Sequence, residues 1–205
     1  MEKIRLNLGC GGRPLEGYIN VDQDSLDQLK ARYPHEKFPP GAKVENYDIF
    51  HLPFPDGSVQ EIRADSLIEH LSFLEEPVFF REVARALAPG GLFNFSTPDF
   101  EEAVRQWLDA KDDWRDFFRN DDEAIAAQHW FGQYSYGTQS RWGYLTAMIF
   151  GSQNGPGQLH RNCYTVPKIQ AIMKKMEFTI LDIRKYRWKG DRDWMIEVRA
   201  EKNGR

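Results

Sequence analysis

Gly9, Gly11 and Asp22 have the types and the spacing to grip a ligand. They lie in Leu-Asn-Leu-Gly-Cys-Gly-Gly-Arg-Pro-Leu-Glu-Gly-Tyr-Ile-Asn-Val-Asp, residues 6–22. There an apolar run (Ile4, Leu6, Leu8) stops at a glycine-rich turn, and a second run, Tyr18-Ile19-Asn20-Val21, stops at a carboxylate. Glycine has no Cβ, so the turn can bring its backbone against a ligand. A carboxylate at the tip of the next strand can accept two hydrogen bonds from a ribose diol. Strand, tight loop, strand, acid is the grammar of an adenosine-containing cofactor site. A dinucleotide fingerprint would need a third glycine in register at the start of a helix, and an acid about 20 residues further on. Here Arg13-Pro14 follows Gly12, and only 11 positions separate Gly11 from Asp22, too few for a crossover helix plus a strand.

Those residues need a sheet to hold them, and the chain alternates strand and helix patterns through its first half, as a parallel sheet covered by helices requires. Helices are expected over 25–33 and 74–87, the second with Phe79, Val83, Ala86 and Leu87 on one side. Strands are expected over 43–47, 59–64 and 92–96, with Pro89-Gly90-Gly91 closing the second helix. A helix over 167–176, opened by Thr165 as N-cap, precedes strands over 178–187 and 193–201 joined at Lys189-Gly190-Asp191. Between the halves lies a stretch, 99–165, too long for a simple connection. It is expected to hold helices over 99–110, 121–130 and 141–150. Trp107, Trp114, Trp130 and Trp142 fall in it, with Phe131, Tyr134, Tyr136 and Tyr144. Its position predicts a cap over the mouth of the cofactor cleft; a helical add-on or a dimer surface is the alternative.

The chain has 205 residues, 41% hydrophobic and 28% charged, the balance of one globular domain with a substantial core. No run approaches the ~20 apolar residues that cross a bilayer, and Met1-Glu2-Lys3 leads into a strand rather than a signal peptide. Two cysteines, Cys10 and Cys163, imply no disulfide framework. The expectation is a cytoplasmic protein, monomer or homodimer, with no membrane partner. Net charge is −4 but uneven: residues 161–205 carry 12 Lys and Arg against 6 Asp and Glu. Much of that cluster (Arg184, Lys185, Arg187, Lys189, Arg192) flanks the hairpin turn, so it is read as solvated strand faces and nucleic acid is not expected as a partner.

The N-L-G-C-G…G-Y-I-N-V-D spelling resembles the first motif of class I S-adenosylmethionine-dependent methyltransferases. More narrowly it resembles the branch whose first helix is reduced to a turn, methyltransferase type 11-like. Tyr47-Asp48-Ile49 followed by Leu52-Pro53-Phe54-Pro55-Asp56-Gly57-Ser58-Val59 is similar to the family's third-strand segment, where an acid reads the adenine amino group. Ala64-Asp65-Ser66-Leu67-Ile68-Glu69-His70-Leu71 resembles the fourth motif, and residues 81–91 resemble the R-x-L-x-P-G-G turn from helix to strand. The resemblance spans residues 4–100. It implies an α/β, Rossmann-like, seven-stranded, mostly parallel sheet with helices on both faces and an antiparallel last strand, plus a helical aromatic-rich cap insertion. One domain is implied: a cofactor-binding half at 1–98, the cap at 99–165, and a closing helix and hairpin at 166–205. Many relatives carry an acid where Asn7 stands, so a neutral amide must serve there, on the loop backbone or on a water beside the cofactor's amino-carboxylate end. The shortened first helix leaves one side of the cofactor less covered.

The cofactor implied is S-adenosylmethionine, held by Asn7, Gly9, Cys10, Gly11, Asp22, Asp48, Ile49, Asp65 and Ser66. Methyl transfer from a sulfonium is an in-line displacement whose leaving group needs no acid. Catalysis is then positioning and desolvation, with a general base only where the nucleophile carries a proton at neutral pH. Related sequences often carry a Tyr-Gly pair, then a Gln, then a His-Lys/Arg pair followed by an aromatic; here these are Tyr136-Gly137, Gln139, His160-Arg161 and Tyr164. His160, His70 and Tyr136 are therefore the catalytic candidates. His129, Trp130, Tyr134, Arg141, Arg161 and Tyr164 are the substrate-binding ones, with Arg161 or Arg141 holding an acidic substrate group. No residue is assigned to a metal, and Cys10 is read as a small residue lining the loop. The expected reaction is methylation at oxygen or nitrogen of a small molecule, a saccharide or secondary metabolite, because relatives of this type are frequent beside sugar-polymer and natural-product pathways. RNA or protein methylation through the basic C-terminal region, and cofactor binding without turnover, are the alternatives.

Overall fold

The computed structural model describes residues 3–112, 121–122, 141–153, 155, 157–188 and 194–204. Seven strands form one sheet in the order β3-β2-β1-β4-β5-β7-β6. In chain order they are β1 (Ile4–Leu8), β2 (Ile19–Val21), β3 (Val44–Glu45), β4 (Val59–Asp65), β5 (Leu87–Pro98), β6 (Phe178–Arg187) and β7 (Trp194–Lys202). The first five run parallel, and β7 lies antiparallel between β5 and β6. Helices cover both faces of the sheet: α1 (Leu26–Arg32), α2 (Glu75–Ala86), α3 (Phe100–Asp109), α4 (Thr146–Phe150) and α5 (Val166–Lys175). A 3-10 turn, Ile68–His70, follows β4, and a π-turn, Arg141–Leu145, runs into α4. Among the described residues no helix is long and apolar enough to cross a membrane.

Position in the sheet explains the sequence pattern. β1 is central and covered on both faces, so Leu6, Asn7 and Leu8 are all buried and the strand shows no apolar-polar alternation. α2 buries Phe79, Phe80, Val83 and Ala86 against β5, where Phe93 and Phe95 stack with centroids 4.7 Å apart. Ser25 opens α1 in a reciprocal cap with Gln28, and Thr165 opens α5 by accepting the Lys168 N–H.

Three elements depart from expectation. β3 is two residues long rather than spanning 43–47, because Asn46 turns its amide onto the carbonyls of Asp22 and Gln23 (3.1 and 2.9 Å) and ends the pairing. β5 starts before Pro89-Gly90-Gly91: Leu87 pairs with Val59, and the ladder resumes across an irregularity at Leu92 and Glu61. The segment 141–150 is not one α-helix. Thr146 donates its hydroxyl to the Arg141 carbonyl (2.6 Å), and the Arg141 guanidinium bonds the carbonyls of Trp107, Leu108 and Ala110, leaving a π-turn before α4. The helix expected over 121–130 lies outside the described residues beyond 122, as does the turn at 189–191.

Candidate cofactor and acceptor site

The glycine loop leaves the C-terminal end of β1, and strand order reverses between β1 and β4. Ligands of open α/β sheets bind at such a switch point. Gly9 sits at φ +62° with its missing Cβ only 2.9 Å from Leu67 Cδ1, so a side chain there would collide with the fourth-motif segment. The Cys10 N–H continues the ladder onto the Val21 carbonyl (3.0 Å), and the Arg13 N–H closes the turn on the Cys10 carbonyl (2.9 Å). The Cys10 thiol is buried and pushed up to about 12, first by desolvation and then by the Asp22 charge, so it stays a neutral space-filler.

Asp22 caps the end of β2 and ties the loop to it. Its Oδ2 accepts the Gly11 N–H (2.9 Å) and its Oδ1 the Asp24 N–H (3.1 Å). A carboxylate has about four acceptor sites, so the half-buried Asp22 keeps capacity for a diol. Asn7 is buried and faces the protein rather than a ligand: its Nδ2 donates to the Arg13 carbonyl (3.1 Å) and to Asn20 Oδ1 (2.9 Å). Asn20 in turn bonds Leu15 N–H and the Leu15 and Tyr18 carbonyls. The amide of Asn7 therefore serves the loop backbone.

Asp48 lies on the exposed bend after β3. Its carboxylate accepts the Phe50 N–H (2.9 Å) and contacts His51 Nδ1 (3.0 Å), and these bonds, the backbone one first, hold it below the usual carboxylate range. Ile49 is half-buried against the core. Asp65 ends β4 with Oδ2 on Arg63 (2.9 Å) and Oδ1 on the Ser96 hydroxyl (3.0 Å). Ser66 follows at φ +53°, a left-handed conformation that a serine adopts at a cost. Its N–H bonds the Ser96 carbonyl (2.8 Å).

Residues from the two halves of the chain meet at the 3-10 turn. The N–H groups of Arg161 and Asn162 both donate to the Glu69 carbonyl (2.8 and 3.1 Å), lacing residues 159–162 onto 68–70. That brings the rings of His70 and His160 to 5.1 Å, edge to face. His70 Nδ1 bonds the Leu159 carbonyl (2.9 Å) and His160 Nδ1 the Met148 carbonyl (3.0 Å). A carbonyl only accepts, so each Nδ1 carries a proton, and in the neutral ring the lone pair lies on Nε2. Burial, with a smaller contribution from His70, depresses the His160 imidazolium to about 4. Glu69, buried beside them, accepts the Thr97 hydroxyl (3.1 Å), and burial pushes its carboxyl up.

The other candidates are distributed. Arg161 is exposed and paired with Glu75 (2.9 Å). Arg141 is engaged at the end of α3. Tyr164 is 1% exposed and forms part of the core, with Lys168 Nζ over its ring at 4.2 Å. His129, Trp130, Tyr134 and Tyr136 lie outside the described residues. Asn20, Glu69 and Thr97 were not singled out from sequence. A glutamate inside the apolar run Leu67-Ile68-Glu69-His70-Leu71 was the available signal for the second of them. A cavity of about 650 Å³ lined by Lys3, Arg5, Gln60, Glu61 and Gly91 opens at the opposite, N-terminal ends of the strands, away from all these groups.

Residues 6–95 match the model of a methyltransferase domain. A protein of Mycolicibacterium smegmatis described as a probable S-adenosylmethionine-dependent methyltransferase is 31% identical over 108 residues. The match covers 46% of this chain and 37% of that relative, so it spans little more than a third of the relative's length. A Methanosarcina mazei S-adenosylmethionine-dependent methyltransferase shares the fold with a TM-score of 0.60 at 16% identity, over 100% of this chain and 95% of the other. A Burkholderia thailandensis 1,6-didemethyltoxoflavin-N1-methyltransferase, solved with 1,6-didemethyltoxoflavin and S-adenosylhomocysteine, gives 0.55 at 10% identity, over 98% and 71%.

Proposed function

We propose that the chain is an S-adenosylmethionine-dependent enzyme methylating oxygen or nitrogen of a small molecule, a saccharide or secondary metabolite, a reading supported by the match of residues 6–95 to a methyltransferase domain. The residues present fit the cofactor. Tyr33 packs against Gly11 and Gly12, and Leu67 against Gly9, so the loop has no room for side chains of its own, and Asp22 has acceptor capacity at the strand end where a ribose diol belongs. When bound, S-adenosylmethionine supplies an electrophilic methyl whose S–CH₃ bond breaks toward sulfur, leaving S-adenosylhomocysteine, while the acceptor exchanges a proton for the methyl.

The observation that carries the reading is the meeting of His160 with His70 at the sheet edge that also bears the glycine loop. In this proposal Asp22 takes the ribose, Asp48 and Ile49 meet the adenine, and the unprotonated imidazole nitrogens handle the acceptor's proton. The stretch 99–165, which leaves β5 at that same edge, supplies the acceptor pocket.

S-adenosylhomocysteine should raise the melting temperature and NAD should not, and a panel of hydroxylated and amino acceptors should yield a product heavier by one methylene. Asp22→Asn should weaken S-adenosylhomocysteine by roughly 10-fold or more, as loss of a charge-assisted bond of about 1.5–3 kcal/mol does. His160→Ala should keep that affinity and slow turnover by roughly 10²–10⁴-fold. A protein stabilised by NAD instead, or turnover untouched in His160→Ala, refutes the assignment.

A further inference from the structure

Glu69, His70 and His160 each place one donor atom within 4.8 Å of the other two. We propose that these three residues bind one divalent first-row transition cation through a Glu69 carboxylate oxygen and Nε2 of each histidine. This deepens the methyl-transfer reading and rests on it for the cation's role, though the binding stands on the cluster itself.

The geometry is close to what coordination needs. One donor atom of each residue already lies within 4.8 Å of the other two, so side-chain rotation can bring all three to metal–donor bonds of ~2.1 Å. The ring orientations already suit ligation through Nε2. Both Nδ1–H groups are held by main-chain carbonyls, of Leu159 and Met148, the outer bonds that fix tautomer and ring orientation in histidine-ligated metal sites. Glu69 has a comparable support, the Thr97 hydroxyl on Oε2.

Charge points the same way. Glu69 is 3% exposed, and among the described residues no lysine or arginine forms an ion pair with it. A buried carboxylate without a cationic partner is costly, and a bound dication removes the cost. The third donor is delivered firmly: both N–H groups of Arg161 and Asn162 grip the Glu69 carbonyl, so His160 is tied to the turn that carries the other two.

Two imidazoles and one carboxylate suit zinc, manganese, cobalt or iron(II). The set is too nitrogen-rich for magnesium or calcium and lacks the sulfur that copper(I) prefers. Three protein ligands leave room for an oxygen, the arrangement of a catalytic rather than a structural ion. With the cation bound, a coordinated hydroxyl of the acceptor would release its proton to solvent near neutral pH, in place of direct transfer to an imidazole, and the resulting oxygen would attack the methyl as the S–CH₃ bond breaks toward sulfur.

Cobalt(II) is the probe. The chain is stripped with a chelator, desalted and titrated with Co²⁺, following visible ligand-field bands and melting temperature, with Zn²⁺ as competitor. The same preparations are melted with S-adenosylhomocysteine. One Co²⁺ per chain, displaced by Zn²⁺, is expected. His70→Gln and His160→Ala should each weaken it by at least the roughly 10–100-fold that loss of an outer-shell partner costs, while retaining the S-adenosylhomocysteine shift. Glu69→Gln should do the same; if it does not fold, the two histidine variants decide. Absence of bands and of any shift at millimolar cobalt overturns the site, and so does binding that survives both histidine changes. Failure with cobalt alongside a normal S-adenosylhomocysteine shift removes the cation and leaves methyl transfer standing. A missing S-adenosylhomocysteine shift removes the methyl-transfer reading, and the cobalt result still decides the cluster.

Discussion

The amide of Asn7 donates to two acceptors at once, the Arg13 carbonyl and Asn20 Oδ1, and so joins the glycine loop to β2 inside the sheet. A carboxylate at this position would face both acceptors with none of the hydrogens they need. Asn7→Asp should therefore lower stability by about 1–3 kcal/mol, the cost of buried polar groups left unpaired, and by more than Asn7→Ala, which adds no charge. Urea unfolding at neutral pH measures the difference, and an Asp variant as stable as the parent would show that the amide holds nothing. At this scale the glycine loop, Asp22 and Asn7 were legible from sequence because their partners lie within about twenty residues and the loop's shape follows from local rules. Asn20 and Glu69 were not legible. An asparagine in a short strand looks like any polar residue until Asn7 and Leu15 are seen against it. The partners of Glu69, Thr97 and the 161–162 backbone, come from distant parts of the chain.

Among the elements, α2 is fastened to the loop before β4 through Glu82 and Arg85. Glu82 accepts the Leu52 N–H (2.6 Å) and Arg85 Nη2 (2.7 Å), and Arg85 also bonds the carbonyls of Leu52 and Phe54 and the Asp56 carboxylate. Arg85 above all, helped by the Leu52 N–H, holds the Glu82 carboxyl below its ordinary 4.5. The unfolded chain thus binds the proton at a higher pH than the folded one. The bridge's stabilisation is complete above about pH 4.5 and is lost as pH falls through the lowered folded value. Glu82→Gln should cost about 1.5–3 kcal/mol at pH 7 and flatten the acid limb of the stability curve; equal slopes in parent and variant below pH 4.5 would place the acid sensitivity elsewhere. Helix and strand types were legible wherever apolar spacing was strong, as in α2 and the buried strands. The short β3 and the π-turn were not, because each is decided by a side chain reaching beyond its own segment: Asn46 onto the end of β2, and Arg141 onto the end of α3.

For the molecule as a whole, three basic residues of the C-terminal region have partners within the chain. Arg184 pairs with Glu197 across the hairpin, Arg187 lies over the Trp194 ring at 4.4 Å, and Lys185 meets Asp99 at 2.5 Å. These partners account for three of the charges that make the region look suited to nucleic acid. The last contact joins the two ends of the architecture: Asp99 is fully buried where β5 turns into α3, the first step out of the sheet toward the stretch 99–165, and Lys185 reaches it from the edge strand β6. Asp99 also caps α3 through the Glu102 N–H. Removing the lysine leaves a buried carboxylate with that weak bond and no counter-charge. Lys185→Met should cost about 3 kcal/mol, within the range for stripping one partner from a buried pair. Asp99→Asn keeps a cap of nearly equal quality and removes the charge, so it should cost less. The double variant should then be more stable than Lys185→Met alone, because the neutral amide no longer needs the ammonium. A thermodynamic cycle from urea unfolding of the four proteins gives the coupling directly. Strict additivity of the two single changes would mean that the hairpin and the start of α3 are not electrostatically joined.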